Sequence, residues 1–408
     1  MRNYMSGLTG MGSGVTVVSW LNRRRIVLYS WSFVALYIIV AGFTYSSGKG
    51  IADSRGKALG SDYVCFYAAS ELAREGDISG VYNIDRIYQR EKELYGEQAD
   101  MAGFYYPPTF LLLVLPLAYL PYVASLVIWT GAALIFYAAL LRRTAPDPAT
   151  LGLALAFPGA FQNAIHGQNG FLTAALLGWG LFLLRGYPVP AGILLGLLTY
   201  KPHLALLVFI ALVAGRFWKA LGAAAFSAGV LALASAAVLG LGAWSSFMGQ
   251  IPFVSYITET GYLPWEKMST VFAASRLVGV GIQPSYILQG IMALAVSILV
   301  FWAWHRGMPY YIKVSVLTAG IFLATPYSFQ YDLALLAIAI AYYGWEGYQK
   351  GWLPYEKGVL FAVWIMPLIN DLIARLIYIQ IVPLILLAFL ILTVRRFYFF
   401  DRTGFIAI

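Results

Sequence analysis

Charge is what this 408-residue sequence has least of: 11% of its residues are Asp, Glu, Lys or Arg, against about a quarter in soluble domains. There is one cysteine, Cys65, and there are three histidines. A lone cysteine excludes an intrachain disulfide, and Cys65 lies in an apolar stretch that suits a packed thiol better than redox chemistry. Strand-type alternation, metal-type Cys/His spacing, a phosphate-cradling Gly loop and an HExxH stretch are all missing. Soluble α/β enzymes are thereby excluded.

What is present is apolar. Hydrophobic residues make up 61% of the chain, with 40 glycines and 16% aromatics, and the mean hydropathy is +0.74. This composition describes an all-α polytopic membrane protein, with small residues for close helix packing and aromatics at headgroup level. The net charge of +9 does not point to nucleic acid, because the basic residues stand in small clusters at the ends of apolar runs. They read as topology signals.

Twelve apolar runs are expected to be spans, near 26–45, 121–141, 149–165, 170–185, 188–200, 203–215, 219–241, 285–304, 312–324, 328–344, 357–370 and 376–394. Residues 1–25 then form a cytoplasmic segment, 26–394 one transmembrane domain and 395–408 a cytoplasmic tail. With both termini inside, the clusters at Arg142/Arg143, Arg185, Arg216/Lys219, His305/Arg306/Lys313, Lys350/Lys357 and Arg395/Arg396 all fall in the cytoplasm. This alternation requires 107–120, a proline-flanked run too short to cross, to be re-entrant or interfacial. Residues 46–106 become one long outer loop holding ten of the 18 acidic residues. Within it, "SDYVCFYAASELAREG" and "NIDRIYQREKELYG" each carry helix start and stop signals, and two short helices on the membrane surface are expected.

Polar residues cluster on the outer face. Asp62 opens a helix, where it serves equally as an N-cap or as a carboxylate able to take a proton from a hydroxyl. Lys201 and His203, in "YKPHLA", interrupt a long apolar stretch; they either snorkel to the interface or hold an anionic lipid phosphate. His166, Gln168 and Asn169 in "HGQNG" suit a solvated turn or hydrogen bonds to sugar hydroxyls. Tyr327, Gln330, Tyr331 and Asp332 in "TPYSFQYD", and Tyr105 and Tyr106 in "FYYPPTF", read as interfacial aromatics and caps or as parts of a site. Together they place an acid, a Lys-His pair, two amide-bearing turns and a Tyr-Tyr-Pro-Pro segment on one membrane face.

In their order, "SDYVCFYAASELAREG", "VYN", "FYYPPTFLLLVLPLAYLP", "GQNGFLTAALL" and "AGILLGLLTYKPHLALL" resemble glycosyltransferase family 87, over roughly residues 25–345. The resemblance implies the GT-C fold and a bacterial plasma-membrane enzyme of cell-envelope glycans, with its active site outside. The implied reaction moves a sugar, most often mannose, from a polyprenyl-phosphate donor to a lipid-linked or glycan acceptor. It implies Asp62 as the catalytic acid residue of the first outer loop, with Lys201 and Gln168 in the family's Lys-Pro and Gly-Gln. One departure is the Gln330-Tyr331 pair, which stands where many relatives carry two histidines.

Chemically, displacement of a lipid phosphate needs a base on the attacking hydroxyl, assigned to Asp62, and cations on the leaving phosphate, assigned to Lys201 with His203 or Arg55. A single displacement inverts the sugar. No ligand cluster calls for a divalent metal, and no nucleic-acid partner is expected. A transporter or flippase of lipid-linked sugars is the alternative, although no internal repeat supports it; a non-catalytic scaffold is the third reading.

Overall fold

Proline and glycine punctuate the apolar runs, and the helices begin and end where they stand. The computed structural model describes residues 22–46, 58–96 and 101–402; Arg55 lies outside the described residues. The helices are α1 (Arg23–Ser46), α2 (Tyr63–Arg74), α3 (Ile78–Val81), α4 (Ile84–Tyr95), α5 (Pro108–Val114), α6 (Tyr122–Thr144), α7 (Ala149–Ala156), α8 (Pro158–His166), α9 (Gly170–Leu183) and α10 (Pro188–Leu197). They continue with α11 (Pro202–Ala214), α12 (Trp218–Leu239), α13 (Leu241–Thr260), α14 (Val271–Leu277), α15 (Ile282–His305), α16 (Tyr310–Ala324), α17 (Leu336–Lys350), α18 (Glu356–Ile377) and α19 (Val382–Arg402). No strand occurs among the described residues; one antiparallel bridge joins Met268 to Phe329.

Among the described residues, six helices are long and apolar enough to cross a membrane by themselves: α1, α6, α12, α15, α18 and α19. Most expected runs are single helices, but four differ; among them, 188–200 ends in a 3-10 turn, Leu198–Tyr200, and 376–394 takes in the end of α18 and the start of α19. The run 149–165 breaks at Phe157–Pro158 into α7 and α8, because proline cannot continue the helix behind it. The run 328–344 starts as a 3-10 helix, Gln330–Leu335, before α17. The shorter helices α9 and α16 are buried on most sides, while α1 and α12 expose most of their length. A helix covered by protein need not match the bilayer thickness, which accounts for the short runs.

Helix α10 approaches α12 closely through Gly192 and Gly196. A Cβ on Gly192 would come within 2.2 Å of the Ala220 carbonyl oxygen, and one on Gly196 within 2.3 Å of that of Ala224. This is small-xxx-small packing in the sequence "GILLG". The Ser227 hydroxyl donates across the contact to the Ile193 carbonyl at 3.0 Å.

One expectation for the outer segments needs correction. Helix α2 does not lie on a surface: nine of its twelve residues are buried, since apolar side chains surround it instead of forming one stripe. Only α4, started by Asn83 and stopped by Gly96, has the sided character expected. Between the expected spans 219–241 and 285–304, residues 241–260 form the 20-residue helix α13. Its Gly, Ser, Gln and Pro residues dilute the hydropathy without breaking the helix. The segment 107–120 holds α5 and a 3-10 turn, Leu115–Tyr119. Its carbonyls accept from side chains: Val114 from Ser70 at 2.9 Å, Leu117 from Ser125 at 3.0 Å, Leu120 from Tyr67 at 2.8 Å. Irregular backbone at membrane depth is tolerated where protein donors satisfy it in this way.

The basic clusters gather at one end of the bundle. There Arg23 pairs with Asp147, Arg185 lies 5.7 Å from the Tyr310 ring centre, and Arg396 is fully buried against Glu356. Arg396 is therefore a structural ion pair and not a solvated topology charge; Tyr343 and the Leu353 amide satisfy the remaining Glu356 valences. Asp62, His166, Lys201 and Asp332 meet elsewhere, where α2, α8, α10 and the 3-10 helix at Gln330 come together.

Candidate active site

Asp62 follows the Gly60–Ser61 turn and stands at the start of α2, but its side chain makes no capping hydrogen bond to that helix. It faces the neighbouring "HGQNG" turn instead. The Asp62 amide donates to the His166 carbonyl at 3.1 Å, Gln168 Nε2 donates to Oδ2 at 3.2 Å, and Ser61 Oγ donates to Oδ1 at 3.3 Å. His166 Nδ1 lies 3.6 Å from Oδ1 and 2.7 Å from Ser61 Oγ. About a third of the Asp62 side chain, 32%, stays open. Burial pushes this carboxyl up, but the hydrogen bond and charge of His166, the Gln168 amide and the charge of Lys267 outweigh it. The net effect holds Asp62 below its ordinary value, so it is ionised at neutral pH.

The turn that presents Gln168 depends on two glycines. Gly167 adopts φ +63°, a left-handed conformation that ends α8. Gly170 opens α9 where a Cβ would come within 2.4 Å of the Tyr331 carbonyl oxygen. The turn therefore packs directly on the segment carrying Gln330, Tyr331 and Asp332.

Gln168 also looks the other way. Its Oε1 accepts from the Tyr106 hydroxyl at 3.3 Å, and the Tyr106 ring centre is 5.9 Å from Lys201 Nζ. Lys201 is buried, 3% exposed, and hydrogen-bonds Asp332. Asp332 Oδ2 in turn accepts from the Phe329 amide at 3.1 Å, capping the 3-10 helix. The Tyr331 ring centre is 5.7 Å from the same ammonium. A line of contacts thus runs from Asp62 through Gln168 and Tyr106 to Lys201 and Asp332.

The other expected residues surround this line. The His203 ring meets the Tyr327 ring edge-on at 6.0 Å, and neither side chain hydrogen-bonds Lys201. Asn169 is buried beneath the turn, with its carbonyl accepting from Thr173. Tyr105 is half-buried one residue before Tyr106. Gln330 is buried with Nε2 lacking a protein partner, as are the hydroxyls of Ser269 and Ser328. Buried donors left unpaired by the protein suit a polar ligand.

Sequence reasoning missed Lys267. It sits in the 3-10 turn Trp265–Lys267, half-buried, and its charge acts on Asp62. The Met268–Phe329 bridge and the Ser269 amide on the Ser328 carbonyl, 2.9 Å, tie this turn to the Asp332 segment. Gln380 Nε2 buttresses it, donating to the Met268 carbonyl at 2.6 Å. The available signal was a cation in a segment expected to lie outside, where positive charge is uncommon.

Glu91 on α4 holds the chain that leads into Tyr105 and Tyr106. It is buried, and its Oε2 accepts from the Ala102 amide at 3.1 Å. Burial pushes its carboxyl up, only partly offset by that amide, to about 7 from 4.5. A raised folded-state value means that Glu91 stabilises fully below pH 4.5, and that this contribution is lost as pH rises through about 7. Glu91→Gln is expected to flatten the stability profile across that window by about 3 kcal/mol. Thermal unfolding at pH 5 and pH 8 measures it; equal pH slopes in both proteins would show that Glu91 is not protonated in the fold.

No curated protein and no solved structure matches the chain. The family model described as Glycosyltransferase family 87 does, over residues 104–326. The match takes in Tyr105, Tyr106, His166, Gln168, Asn169, Lys201, His203 and Lys267, whereas Asp62 and Tyr327–Asp332 lie outside it and join the site through the tertiary contacts above. Spanning more than half the sequence, it establishes that this chain belongs to glycosyltransferase family 87.

Proposed function

We propose that this membrane glycosyltransferase moves a sugar, mannose first among hexoses, from a polyprenyl-phosphate donor to a lipid-linked or glycan acceptor on the extracytoplasmic face. One observation carries the reading: the Asp62 carboxyl group is turned away from its own helix and partly open, beside amide and imidazole groups that hold its orientation. In this mechanism Asp62 accepts the proton of the acceptor hydroxyl as its oxygen attacks the anomeric carbon. The bond from that carbon to the phosphate oxygen breaks, and the phosphate leaves with the electron pair. Single displacement inverts the anomeric centre.

The departing phosphate gains charge, and cations must meet it. Lys201 has one of its three donors on Asp332 and keeps the others for a phosphate oxygen. Lys267, held on its buttressed turn, supplies the second positive charge. Tyr106, Gln330 and the hydroxyls of Ser269 and Ser328 are assigned to the sugar hydroxyls. The basic clusters at the opposite end favour a cytoplasmic placement there, and so an outward-facing site.

The test is a transfer assay on purified protein in lipid, with radiolabelled polyprenyl-phosphate sugars set against nucleotide sugars. Incorporation from the lipid donors, with inverted product, is expected. Transfer from a nucleotide sugar with no lipid carrier present would overturn the proposal.

A further inference from the structure

At the basic end of the bundle a crevice of about 670 Å³ lies between α1, α7, α17 and α18. It is remote from Asp62 and has no part in the reaction above. Its mouth carries Arg23 and Lys357, with Trp345, Tyr348 and Trp352 around them; its depth is lined by apolar groups such as Leu153, Ile340 and Leu360. The inner end is closed where Phe33 of α1 meets Trp364 of α18 edge-on at 5.5 Å. Charge and aromatics at the mouth with an apolar shaft below is the profile of a lipid crossing from headgroup to acyl region.

Three features select the ligand. Arg23 is balanced by Asp147 at 3.2 Å, while the Lys357 ammonium faces the Trp352 ring at 5.8 Å with no carboxylate paired to it among the described residues. The mouth therefore carries surplus positive charge. The Ser30 hydroxyl, in the crevice wall two turns along α1 from Arg23, is buried and has no hydrogen-bond partner. A buried donor without a partner is costly unless a ligand acceptor completes it. The apolar shaft also requires filling, because empty space of this size forfeits dispersion contacts along every wall.

We propose that this crevice binds one anionic phospholipid of the cytoplasmic leaflet. The headgroup phosphate lies on Lys357 and Arg23, an ester carbonyl accepts from Ser30, and an acyl chain fills the shaft as far as Phe33 and Trp364. Such a lipid cements α1 to α18, which is useful because α1 buries little of its own surface in the protein.

Native mass spectrometry of the full chain extracted in mild detergent, followed by thermal unfolding of delipidated protein with added phosphatidylglycerol or phosphatidylcholine of equal chain length, tests this. One retained phospholipid and selective stabilisation by phosphatidylglycerol are expected. Lys357→Gln, a change at the mouth, should weaken the phosphatidylglycerol response about tenfold in lipid concentration, as loss of one charge-assisted contact does. Ala341→Trp, which fills the shaft, should abolish retention while unfolding stays cooperative. Equal stabilisation by both lipids, retention of no phospholipid, or unchanged phospholipid retention in a cooperatively folded Ala341→Trp protein would each overturn the assignment. None of these outcomes depends on whether sugar transfer is observed.

Discussion

Asp62→Asn is expected to lower sugar transfer by about 10²–10⁴-fold, the usual cost of removing a general base, with the folded protein intact. The amide keeps the size of the side chain and can still accept from Gln168 Nε2, but it cannot take a proton. Because the carboxylate makes no capping bond to α2, the substitution should shift stability by less than about 1 kcal/mol. Turnover measured beside thermal unfolding in lipid separates the two roles: near-normal transfer in a well-folded variant would remove Asp62 from the mechanism. The pH profile gives a second readout. A base must be ionised to act, so transfer should fall only as pH drops through the depressed Asp62 value, below the usual carboxylate range. Lys267→Ala removes one of the charges that depress it, and should move this acid limb to higher pH while raising the donor concentration needed.

Lys201→Ala should be severe for a different reason. Lys201 and Asp332 are 3% and 5% exposed, and they pair with each other. Truncating one partner strands the other's charge, which costs about 3–5 kcal/mol in buried pairs. Loss of activity in that variant alone would not reveal a phosphate-binding role. The double variant Lys201→Met with Asp332→Asn removes both charges and keeps an oxygen for the Phe329 amide that Asp332 now caps. It is expected to regain most of the stability and none of the donor affinity. Full recovery of transfer would show that the pair is purely a packing device, and that Lys267 carries the phosphate without it.

Hydropathy and punctuation reach far in this chain. Periodicity is a local property, so the apolar runs, the proline starts of α5, α10 and α11, and the stops at Gly96 and Gly167 can be read from neighbouring residues. So can the candidate residues, since an Asp, a Lys or a Gly-Gln-Asn-Gly turn stands out against an apolar background. Their partnerships cannot be read in this way. Asp62 and Gln168 are 106 positions apart and Lys201 and Asp332 are 131 apart, and no local rule says that one is a base freed from its cap and the other a lysine already paired. Lys267 was missed for the same reason: its one local signal, a cation in a segment expected outside, says nothing of the charge it presents to Asp62. Burial followed the same division. The apolar residues on all sides of α2 signal its burial locally, whereas Arg396 has the look of a topology charge and is interior only because elements distant in sequence close over it. Helix formation needs only nearby residues, whereas desolvation and ion pairing depend on what packs from elsewhere, and only the tertiary structure supplies that.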